Sequence, residues 1–580
     1  MKIVLSAINA KYIHSNPAIY GLKAYAGALG DMVKLKEYTI NQYTDEIFQD
    51  LYKEKADVAV FSCYIWNISM VLELVDLLKK AQPKLQIWLG GPEVSYDSAE
   101  LMQQNPAIDG VMRGEGEETF KQMLAYWECQ ETYEADLKNI LGITWRVGDE
   151  IIENAPALPV DMNTLPFIYK DMAVFEHKII YYESSRGCPY SCSYCLSSID
   201  KRVRFKDTEL VKKELQIFLD AKVPQVKFVD RTFNCRHTHT MEVWRYIHEH
   251  DNGITNFHFE ITADLLNDTE MDLLAQMRPG LVQLEIGVQS TYPKTIEEIH
   301  RKVDFDKLSY VVNRIHAAGN IHQHLDLIAG LPYENLEQFK QSFDDVYHLR
   351  PHQLQLGFLK VLKGSYMHEK QKDYGLVYRT KPMYEVISTD WMSFDDILYL
   401  KDIEQVLELF YNSHQFDMSV RYLEWFYDRP FALYDALAAC FRKMGWFGVN
   451  CKRQQRYDQL LEFAKTVVPE VDLFKELLVW DLYAREAVKT RPDWARDLTP
   501  EKERIAEMFS DGTFIERYLA DYTNESYRTI RHYTHLEPLY YDLEAAVKEG
   551  QIVRKDEDVL FDYRKRSPLT DEARTVKIER

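Results

Sequence analysis

The sequence predicts an α/β protein with three parts: a doubly wound parallel sheet, then an open (β/α)6 barrel, then a mainly helical domain. Short apolar strands alternate with amphipathic helices in two successive series, and the strand signal fades after about residue 381. The chain has 580 residues, enough for two to four domains. We expect the sheet domain at 1–130, a connector at 131–175, the barrel at 176–381 and the helical domain at 382–580.

The first series begins with a buried strand at Lys2–Ala7. Asn16-Pro17 then favours a helix start, because Asn caps helices and Pro fits their first turn. Further strands are predicted at Val58–Ser62, Gln86–Leu89 and Gly110–Met112. Such alternation is typical of a doubly wound sheet, whose ligands lie at the carboxyl ends of the strands.

A hairpin is predicted inside the connector, at Ile143–Arg146 and Ile151–Glu153. Six further strands, separated by helices, favour an open barrel, since a closed one has eight units. They are Ile179–Glu183, Gln225–Val229, Phe257–Ile261, Val282–Val288, His324–Ile328 and Gln353–Leu359. Beyond residue 381, amphipathic stretches dominate, and we expect the charged last thirty residues to lie along the surface.

Composition limits the partners. The chain has 70 basic and 91 acidic residues, a net charge of −21 that does not favour nucleic acid. Only two short basic runs, Lys201–Arg204 and Arg564–Arg566, support such a partner. We find no signal peptide core and no apolar stretch of about 18 residues, so we expect a cytoplasmic protein without membrane spans. Its eight cysteines are then reduced.

The strongest motif is the segment Arg186–Cys195, directly after the first barrel strand. Cys188, Cys192 and Cys195 lie within eight residues, and cysteine thiolates are the usual ligands of iron–sulfur clusters. Three thiolates can hold three irons of a cubane and leave the fourth iron open. An odd count argues against disulfides, and no other Cys or His between 178 and 234 supplies a fourth zinc ligand.

This C-x-x-x-C-x-x-C motif, with Tyr194 before its last cysteine, resembles the signature of the radical S-adenosylmethionine (SAM) superfamily, and the resemblance implies that Tyr194 is a cofactor-binding residue. The resemblance covers roughly residues 176 to 380. It implies a 4Fe-4S cluster whose open iron binds the amino and carboxylate groups of SAM. It also implies an electron donor such as flavodoxin or ferredoxin, and cleavage of SAM to a 5′-deoxyadenosyl radical that abstracts a substrate hydrogen.

Other strand ends fit the same resemblance. It places one residue near the methionine amino group of SAM, four near its ribose and methionine, and one against its adenine. These residues are, in that order, Asp230, then Glu285, Gly287, Gln289 and Ser290, then Gly330. No catalytic residue beyond the cofactor ligands is predicted.

The first domain resembles the cobalamin-binding domain of one radical SAM subclass. Ser62 follows the second predicted strand, and Gly90 and Gly91 end the third, as in that family's contacts to the cobalamin nucleotide tail. Small residues there allow close approach of backbone to ligand. The segment Arg113–Glu117 also resembles a loop of these domains. The cobalt-ligating D-x-H-x-x-G motif is absent, so we interpret His14 as an ordinary loop histidine and expect cobalamin without a histidine below the metal.

Three segments, Asn9–Tyr25, Gly90–Val94 and Lys381–Thr389, are similar to an uncharacterised branch of this subclass with an extra C-terminal domain. The resemblance implies a class B-type methyltransferase. Such an enzyme methylates an unactivated carbon through a 5′-deoxyadenosyl radical and methylcobalamin. It names no substrate, and we favour a small molecule over nucleic acid. From its position, the third domain is expected to cover the barrel mouth.

Three alternatives stay open. Relatives of this kind also use cobalamin in rearrangement or cyclisation without methyl transfer. A tRNA-modifying methyl- or methylthiotransferase is a second alternative, supported only by the two basic runs. A cofactor sensor without enzymatic activity is the third, and the intact cysteine motif argues against it.

Overall fold

The computed structural model describes residues 1–129 and 137–580, so the predicted boundary at 130/131 lies outside the described residues. The first domain is a seven-stranded sheet in the order β2-β1-β3-β4-β5-β6-β7. Its strands are β1 (Ile3–Asn9), β2 (Val33–Thr39), β3 (Val58–Ser62), β4 (Gln86–Gly90), β5 (Gly110–Met112), β6 (Ile143–Val147) and β7 (Glu150–Glu153). Its helices are α1 (Pro17–Tyr25), α2 (Thr44–Lys53), α3 (Ile68–Ala81), α4 (Ser98–Gln104) and α5 (Glu117–Glu128).

The local signals explain these elements. All seven residues of β1 are buried, as expected for a central parallel strand covered by helices on both faces. Helix α1 begins where predicted, with the Asn16 side chain accepting a hydrogen bond from the Ile19 amide (3.4 Å) and Pro17 in the first turn.

Three elements of this domain, β2, α2 and α4, were not predicted. β2 is the edge strand, and its exposed and half-buried positions include Lys34 and Lys36, so it lacks the continuous apolar run of the central strands. α2 follows it. The hairpin predicted inside the connector is also more than a connector, because β6 pairs antiparallel with β5 and extends the sheet. The sheet therefore reaches residue 153.

The second domain is an open barrel of six parallel strands in the order β15-β14-β13-β12-β11-β8. The strands are β8 (Ile180–Tyr182), β11 (Gln225–Phe228), β12 (Asn256–Ile261), β13 (Val282–Gln289), β14 (His322–Ala329) and β15 (Gln353–Phe358); a short ladder joins β9 (Ser185–Arg186) to β10 (Arg204–Phe205). The helices are α6 (Thr208–Asp220), α7 (His237–Glu249), α8 (Asp268–Ala275), α9 (Pro293–Glu298), α10 (Phe305–Ala318), α11 (Leu336–Tyr347) and α12 (Tyr366–Glu369). The predicted fold class is confirmed.

The third domain is mainly helical, as predicted. After the short pair β16 (Val377–Tyr378) and β17 (Val386–Ser388) come α13 (Phe394–Leu407), α14 (Asp417–Leu423), α15 (Pro430–Met444), α16 (Arg453–Ala464), α17 (Val471–Arg485), α18 (Lys502–Met508), α19 (Gly512–Tyr518), α20 (Tyr527–Tyr533) and α21 (Leu543–Glu549). A three-stranded antiparallel sheet of β18 (Thr534–Tyr541), β19 (Arg554–Arg566) and β20 (Ala573–Glu579) completes it. The expectation of a surface tail was wrong, because Val559, Leu560 and Phe561 of β19 are fully buried.

The hydrophobic cores divide the chain differently from its domains. One continuous core joins the barrel to the third domain and includes Phe259, Leu437 and Phe561. The first sheet has two cores of its own, one on each face. Within the described residues, every helix is too short or too polar to cross a membrane.

Candidate functional site

A cavity of about 1290 Å³ lies between the first domain and the barrel. Ordinary small-molecule pockets hold roughly 300–1,000 Å³, so this cavity suits an unusually large ligand. Its wall includes Ser62, Gly90 and Gly91, together with Gly187 and Leu196 from either side of the cysteine cluster. The residues predicted to contact the cobalamin tail and the residues that flank the cysteine cluster thus border one space.

The first-domain wall is built from the carboxyl ends of β1, β3 and β4. The Asn67 side chain ties two of them together by donating to the Ile8 carbonyl (3.0 Å) and to the Ser62 carbonyl (2.9 Å). The Ser62 hydroxyl oxygen accepts a long hydrogen bond from the Asn16 amide nitrogen (3.5 Å). The place where ligands bind on doubly wound sheets is therefore open and lined by small polar groups.

The two predicted glycines differ in what the fold requires of them. Gly91 has φ +115°, and a Cβ there would collide with the Cys63 carbonyl oxygen and lie 3.0 Å from the Cys63 nitrogen. A Cβ on Gly90 would meet the Met112 carbonyl oxygen at 3.6 Å, an ordinary contact. The packing of the backbone therefore requires glycine at position 91. At position 90, the packing leaves space next to the cavity.

Sequence reasoning missed an aromatic pair on this wall. Tyr64 and Trp66 stack with ring centroids 4.4 Å apart, and the Trp66 indole donates to the Ile8 carbonyl (3.1 Å). Both rings line the cavity. Their signal was two aromatic residues directly after a predicted strand end, where parallel sheets place their ligand contacts.

His14 connects the first domain to the barrel. Its Nδ1 lies 2.5 Å from the Tyr181 hydroxyl of β8, and the Ile179 amide donates to the Ile13 carbonyl (2.8 Å). Burial, followed by the nearby charges of Lys11 and Lys227, lowers the pKa of His14, so its ring is neutral near pH 7. This arrangement agrees with our interpretation of His14 as a loop histidine that has its partner within the chain.

An ionic network fixes the start of the cysteine loop. The Arg186 guanidinium lies 2.7 Å from Glu183, 3.0 Å from Glu117 and 3.3 Å from Glu115. Arg204 also pairs with Glu115, and β9 and β10 bring Arg204 opposite Arg186. Although burial opposes it, Arg204 and Arg186 hold the pKa of Glu115 below its usual value. The Arg113–Glu117 segment and the cysteine motif are therefore physically joined.

The three cysteines lie close to one another. Cys188 and Cys192 are buried and Cys195 is half-buried. Burial raises the pKa of Cys192; Arg301 lowers it, and the thiols of Cys195 and Cys188 are near enough to raise it further. Within the described residues, no three Cys, His, Asp or Glu side chains converge on one point, so the thiols are not arranged around a single ion. A cubane instead takes each thiolate at a separate iron.

The middle of the loop is anchored on both sides. The Ser193 amide donates to the Ile299 carbonyl (3.0 Å), and the Met367 amide donates to the Ser193 carbonyl (2.8 Å). The Cys188 sulfur lies 3.5 Å from the Thr232 hydroxyl. These contacts hold the thiols at the carboxyl ends of the barrel strands, where β/α barrels place their active sites.

Gly287 and Gln289 lie beside this loop. A Cβ on Gly287 would collide with the Gln289 amide and lie 3.2 Å from the Arg301 guanidinium. Gln289 itself has φ +75°, and its Oε1 is buried without a partner among the described residues. A buried polar atom normally has a hydrogen-bond partner, so this orphaned oxygen fits a bound polar ligand.

Asp230 has hydrogen-bond partners within the chain. Its carboxylate is buried and accepts hydrogen bonds from the Ser184 amide (3.0 Å), the Ser184 hydroxyl (2.7 Å) and the Ser185 hydroxyl (2.5 Å). Burial raises its pKa to about 6, and these hydrogen bonds act in the opposite direction. Both oxygens are engaged within the chain, so Asp230 supports the segment before the cysteine loop, and its contact with SAM stays a prediction.

Ser290 and Gly330 also have partners within the chain. The Ser290 hydroxyl donates to Glu334 (2.5 Å) and accepts from the Tyr292 amide (3.0 Å). A Cβ on Gly330 would lie 2.8 Å from a Val386 methyl group. The fold by itself therefore accounts for both residue types.

Glu285 lies in a polar barrel interior. It pairs with Lys227 (3.2 Å) and His258 (3.0 Å); burial opposes ionisation, but these partners lower its pKa to about 2. His324 and Asp326 of β14 form a second pair at 3.0 Å. Closed β/α barrels are filled mainly by branched apolar side chains, so charged groups here make the interior suited to polar molecules.

Three family models match the chain: "B12 binding domain" at residues 3–124, "Radical SAM superfamily" at 182–346 and "Protein of unknown function (DUF4080)" at 372–561. The fold and site thus define a radical SAM barrel preceded by a cofactor-binding sheet domain. The chain thus combines a B12 binding domain, a radical SAM domain and a DUF4080 domain in that order. The predicted recognition is confirmed.

Curated relatives match a little over half of the chain. The cobalamin-dependent radical SAM methyltransferase TokK of Streptomyces tokunonensis is 28% identical, covering 57% of this chain and 50% of its own. The 2-(S-pantetheinyl)-carbapenam-3-carboxylate methyltransferase of Streptantibioticus cattleyicolor is 26% identical, covering 56% and 50%. An anaerobic magnesium-protoporphyrin IX monomethyl ester cyclase of Rubrivivax gelatinosus is 21% identical, covering 55% and 59%. The chain spans about half the length of the first two.

Solved structures share the fold. The cobalamin-dependent SAM radical enzyme OxsB, with aqua-cobalamin bound, superimposes with a TM-score of 0.58 at 14% identity, covering 90% of this chain and 84% of its own. The radical SAM methyltransferase TsrM of Kitasatospora setae, with tryptophan and a SAM analogue bound, gives 0.53 at 16% identity, covering 66% and 80%.

Proposed function

We propose that this protein is a cobalamin-dependent radical SAM enzyme that transfers a methyl group to an unactivated carbon of a small molecule. The observation that carries the proposal is the shared cavity. The strand ends of the first domain and the flanks of the three-cysteine loop border one space of about 1290 Å³. A substrate held there would lie between two cofactors, and that positioning is the protein's main contribution to chemistry of this kind.

The described residues fit the three cofactors. Cys188, Cys192 and Cys195 would hold a 4Fe-4S cluster. The orphaned Gln289 oxygen beside them would contact SAM. Ser62 and the space at Gly90 would line the cobalamin tail, in a cavity large enough for that ligand.

When bound, the cluster supplies the electron that cleaves SAM, and cobalamin carries the methyl group. The chain's own residues position these groups. The Arg186 network fixes the cysteine loop against the first domain. The walls proposed for the two cofactors therefore stay at a constant distance from each other. The polar barrel interior, with Lys227 and Glu285, would hold polar parts of the substrate.

The test is an anaerobic reconstitution with iron, sulfide, hydroxocobalamin, SAM and dithionite. We expect retained iron and cobalt together with 5′-deoxyadenosine, and we expect Cys192→Ala to lose SAM cleavage. Cys440→Ala is the matched control, because Cys440 lies on α15 of the third domain. Substantial cleavage in the Cys192 variant would contradict the ligand assignment. Cleavage without cobalt retention would contradict the assignment of the first domain.

Rearrangement or cyclisation without methyl transfer is the second candidate, and the similarity to the Rubrivivax cyclase favours keeping it. Methyl transfer forms S-adenosylhomocysteine and adds one methyl group to the product. Measuring both with the reconstituted enzyme and pools of candidate substrates separates the two reactions.

A nucleic-acid substrate has less support. In the first basic run, Arg202 pairs with Asp200 (3.3 Å) and Arg204 with Glu115. In the second run, partners are also near: Arg564 lies 3.1 Å from Glu525, Lys565 pairs with Asp521, and Arg566 lies 3.7 Å from Asp571. Paired charges offer less to phosphates, which supports a small-molecule substrate.

The proposal includes a one-electron donor such as flavodoxin or ferredoxin and a cytoplasmic location. The cluster needs a low-potential electron for each cleavage, and its thiols need a compartment that keeps cysteines reduced. Stimulation of SAM cleavage by reduced flavodoxin, relative to dithionite, would test the donor.

A further inference from the structure

Arg301 is an unusual cation at the cysteine loop. It follows α9, and its amide donates to the Ile296 carbonyl (3.0 Å). Its guanidinium lies 3.8 Å from the Cys192 sulfur, 3.4 Å from the Tyr194 hydroxyl and 2.5 Å from the Gly287 carbonyl oxygen. Among the residues that the structure describes, its acceptors are therefore a thiol, a phenol and a carbonyl, and none is a carboxylate.

Among the described residues, no carboxylate lies within ion-pair distance of Arg301; Asp326 interacts with it only at longer range and is itself paired with His324 (3.0 Å). The Arg301 Nε is buried and has no hydrogen-bond partner among the described residues. Placing a cation in such surroundings costs free energy unless an anion accompanies it. By contrast, the charge of Arg186 at the start of the same loop is compensated by three carboxylates.

The proposed cluster would itself supply an anion beside Arg301. An oxidised 4Fe-4S core carries two positive charges, so three thiolate ligands give it a net charge of −1. Taking one electron from an external donor makes that charge −2, without breaking a bond or moving a proton. A fixed cation beside the Cys192 sulfur would stabilise the reduced form more than the oxidised form. Local charge and hydrogen bonds to the sulfurs are among the factors that set cluster potentials.

We propose that Arg301 is a positioning residue that compensates the charge of the cluster at Cys192 and thereby favours its one-electron reduction. This inference rests on the proposed function, because it requires the cluster. It goes further by assigning the tuning of that cluster to a residue about 110 positions from the thiol it contacts.

The test compares Arg301→Gln, Arg301→Lys and Arg301→His with the full-length protein after anaerobic cluster reconstitution. Iron content is measured first, and the midpoint potential is then measured by redox titration followed by electron paramagnetic resonance. Lys302→Gln is the matched control, since this exposed neighbour undergoes the same change of charge. The readout is a potential, which a purely structural role would not shift in proportion to side-chain charge.

At the wild-type midpoint, we expect Arg301→Gln to lower the ratio of reduced to oxidised cluster at least tenfold, equal to about 59 mV for one electron. The midpoint of Arg301→Lys should lie between those of the wild type and Arg301→Gln, because lysine keeps the positive charge but lacks the planar guanidinium. Lys302→Gln should match the wild type. A fully loaded Arg301→Gln protein with the wild-type midpoint would overturn the inference.

If Arg301→Gln does not retain iron, the midpoint potential of Arg301→His tests the inference instead. Its midpoint should fall as pH rises from 6 to 8.5, because the imidazole loses its charge across that range while the wild-type guanidinium does not. A midpoint that stays as constant as the wild type's would overturn the inference. A wild-type protein that assembles no cluster would instead be a failure of the proposed function.

Discussion

Gly90 and Gly91 are adjacent and both border the cavity, but only Gly91 is required by the chain's own packing. We therefore expect Gly91→Ala to lower the free energy of unfolding by about 1–3 kcal/mol, the usual cost of a strained backbone site. Gly90→Ala should leave stability nearly unchanged while reducing the cobalt retained after reconstitution. Urea unfolding and cobalt analysis of the two variants measure these effects. Equal stability of both variants would contradict the packing argument.

The buried carboxyl group of Glu334 predicts how the stability of the protein depends on pH. It is fully buried and accepts hydrogen bonds from Ser290 (2.5 Å) and Ser342 (2.9 Å), while its Oε2 has no partner in the described chain. Burial raises its pKa to about 7, and the two hydroxyls act against that rise. The folded state therefore keeps a proton that the unfolded state releases near pH 4.5, so stability falls as pH rises from 4.5 to 7.

We expect Glu334→Gln to remove this loss, which is about 1.4 kcal/mol per pH unit within the window. Denaturant unfolding at several pH values from 4.5 to 8 measures it. Glu337→Gln is the control, since Glu337 is exposed and pairs with Lys340 (2.7 Å). Equal pH slopes in the Glu334 variant and the wild type would show that the carboxyl is ionised in the folded protein.

Single residues could be predicted where their signal is local. The cysteine motif is compact in the sequence, and its meaning depends on spacing alone. Arg301 could not be found this way, because its contact with Cys192 depends on how α9 and the loop fold together. Asp230 was assigned to SAM from its strand-end position, which does not reveal that Ser184 and Ser185 already occupy its oxygens.

Among the elements, the link between Glu115 and the two arginines is open to direct test. Glu115→Gln leaves Arg204 and Arg186 with fewer carboxylate partners. We expect the free energy of unfolding to fall by about 1–3 kcal/mol. This is less than for a fully buried ion pair, because the side chains are partly exposed. Hydrogen exchange in residues 196–206 should also increase, and iron retention should fall. Glu46→Gln, an exposed change on α2, should alter neither quantity; unchanged exchange in both would refute the link.

The sequence predicted all six barrel strands with ends within about two residues, because buried parallel strands read as apolar runs. It missed β2, whose exposed lysines mask an edge strand. It also missed β18, β19 and β20; in β19, charged ends flank a short buried centre at Val559–Phe561. Strands with mixed exposure carry too little periodic signal to be separated from surface tails.

For the molecule as a whole, the third domain shares the hydrophobic core of the barrel, and its role as a cover for the barrel mouth stays a prediction. Its helices complete the hydrophobic core that also contains the barrel. We expect a chain ending at residue 381 to aggregate and to lack a cooperative unfolding transition, because burial of that core supplies the main driving force for folding. A fragment of residues 1–155 should unfold cooperatively, since its sheet has cores on both faces. Circular dichroism and size-exclusion chromatography of both fragments check this, and a soluble 381-residue fragment with native ellipticity would contradict it.

The contact between the Asn9–Asn16 loop and the start of β8 bears on how such proteins can be recombined. An open barrel leaves edge strands with unpaired backbone groups, and exposed edges invite pairing between chains. The Ile13 carbonyl accepts from Ile179 at this edge, so the first domain shields part of its neighbour. A chimera that exchanges cofactor domains at the connector alone would leave that edge bare. Transplanted domains would have to bring a loop of matching length with them.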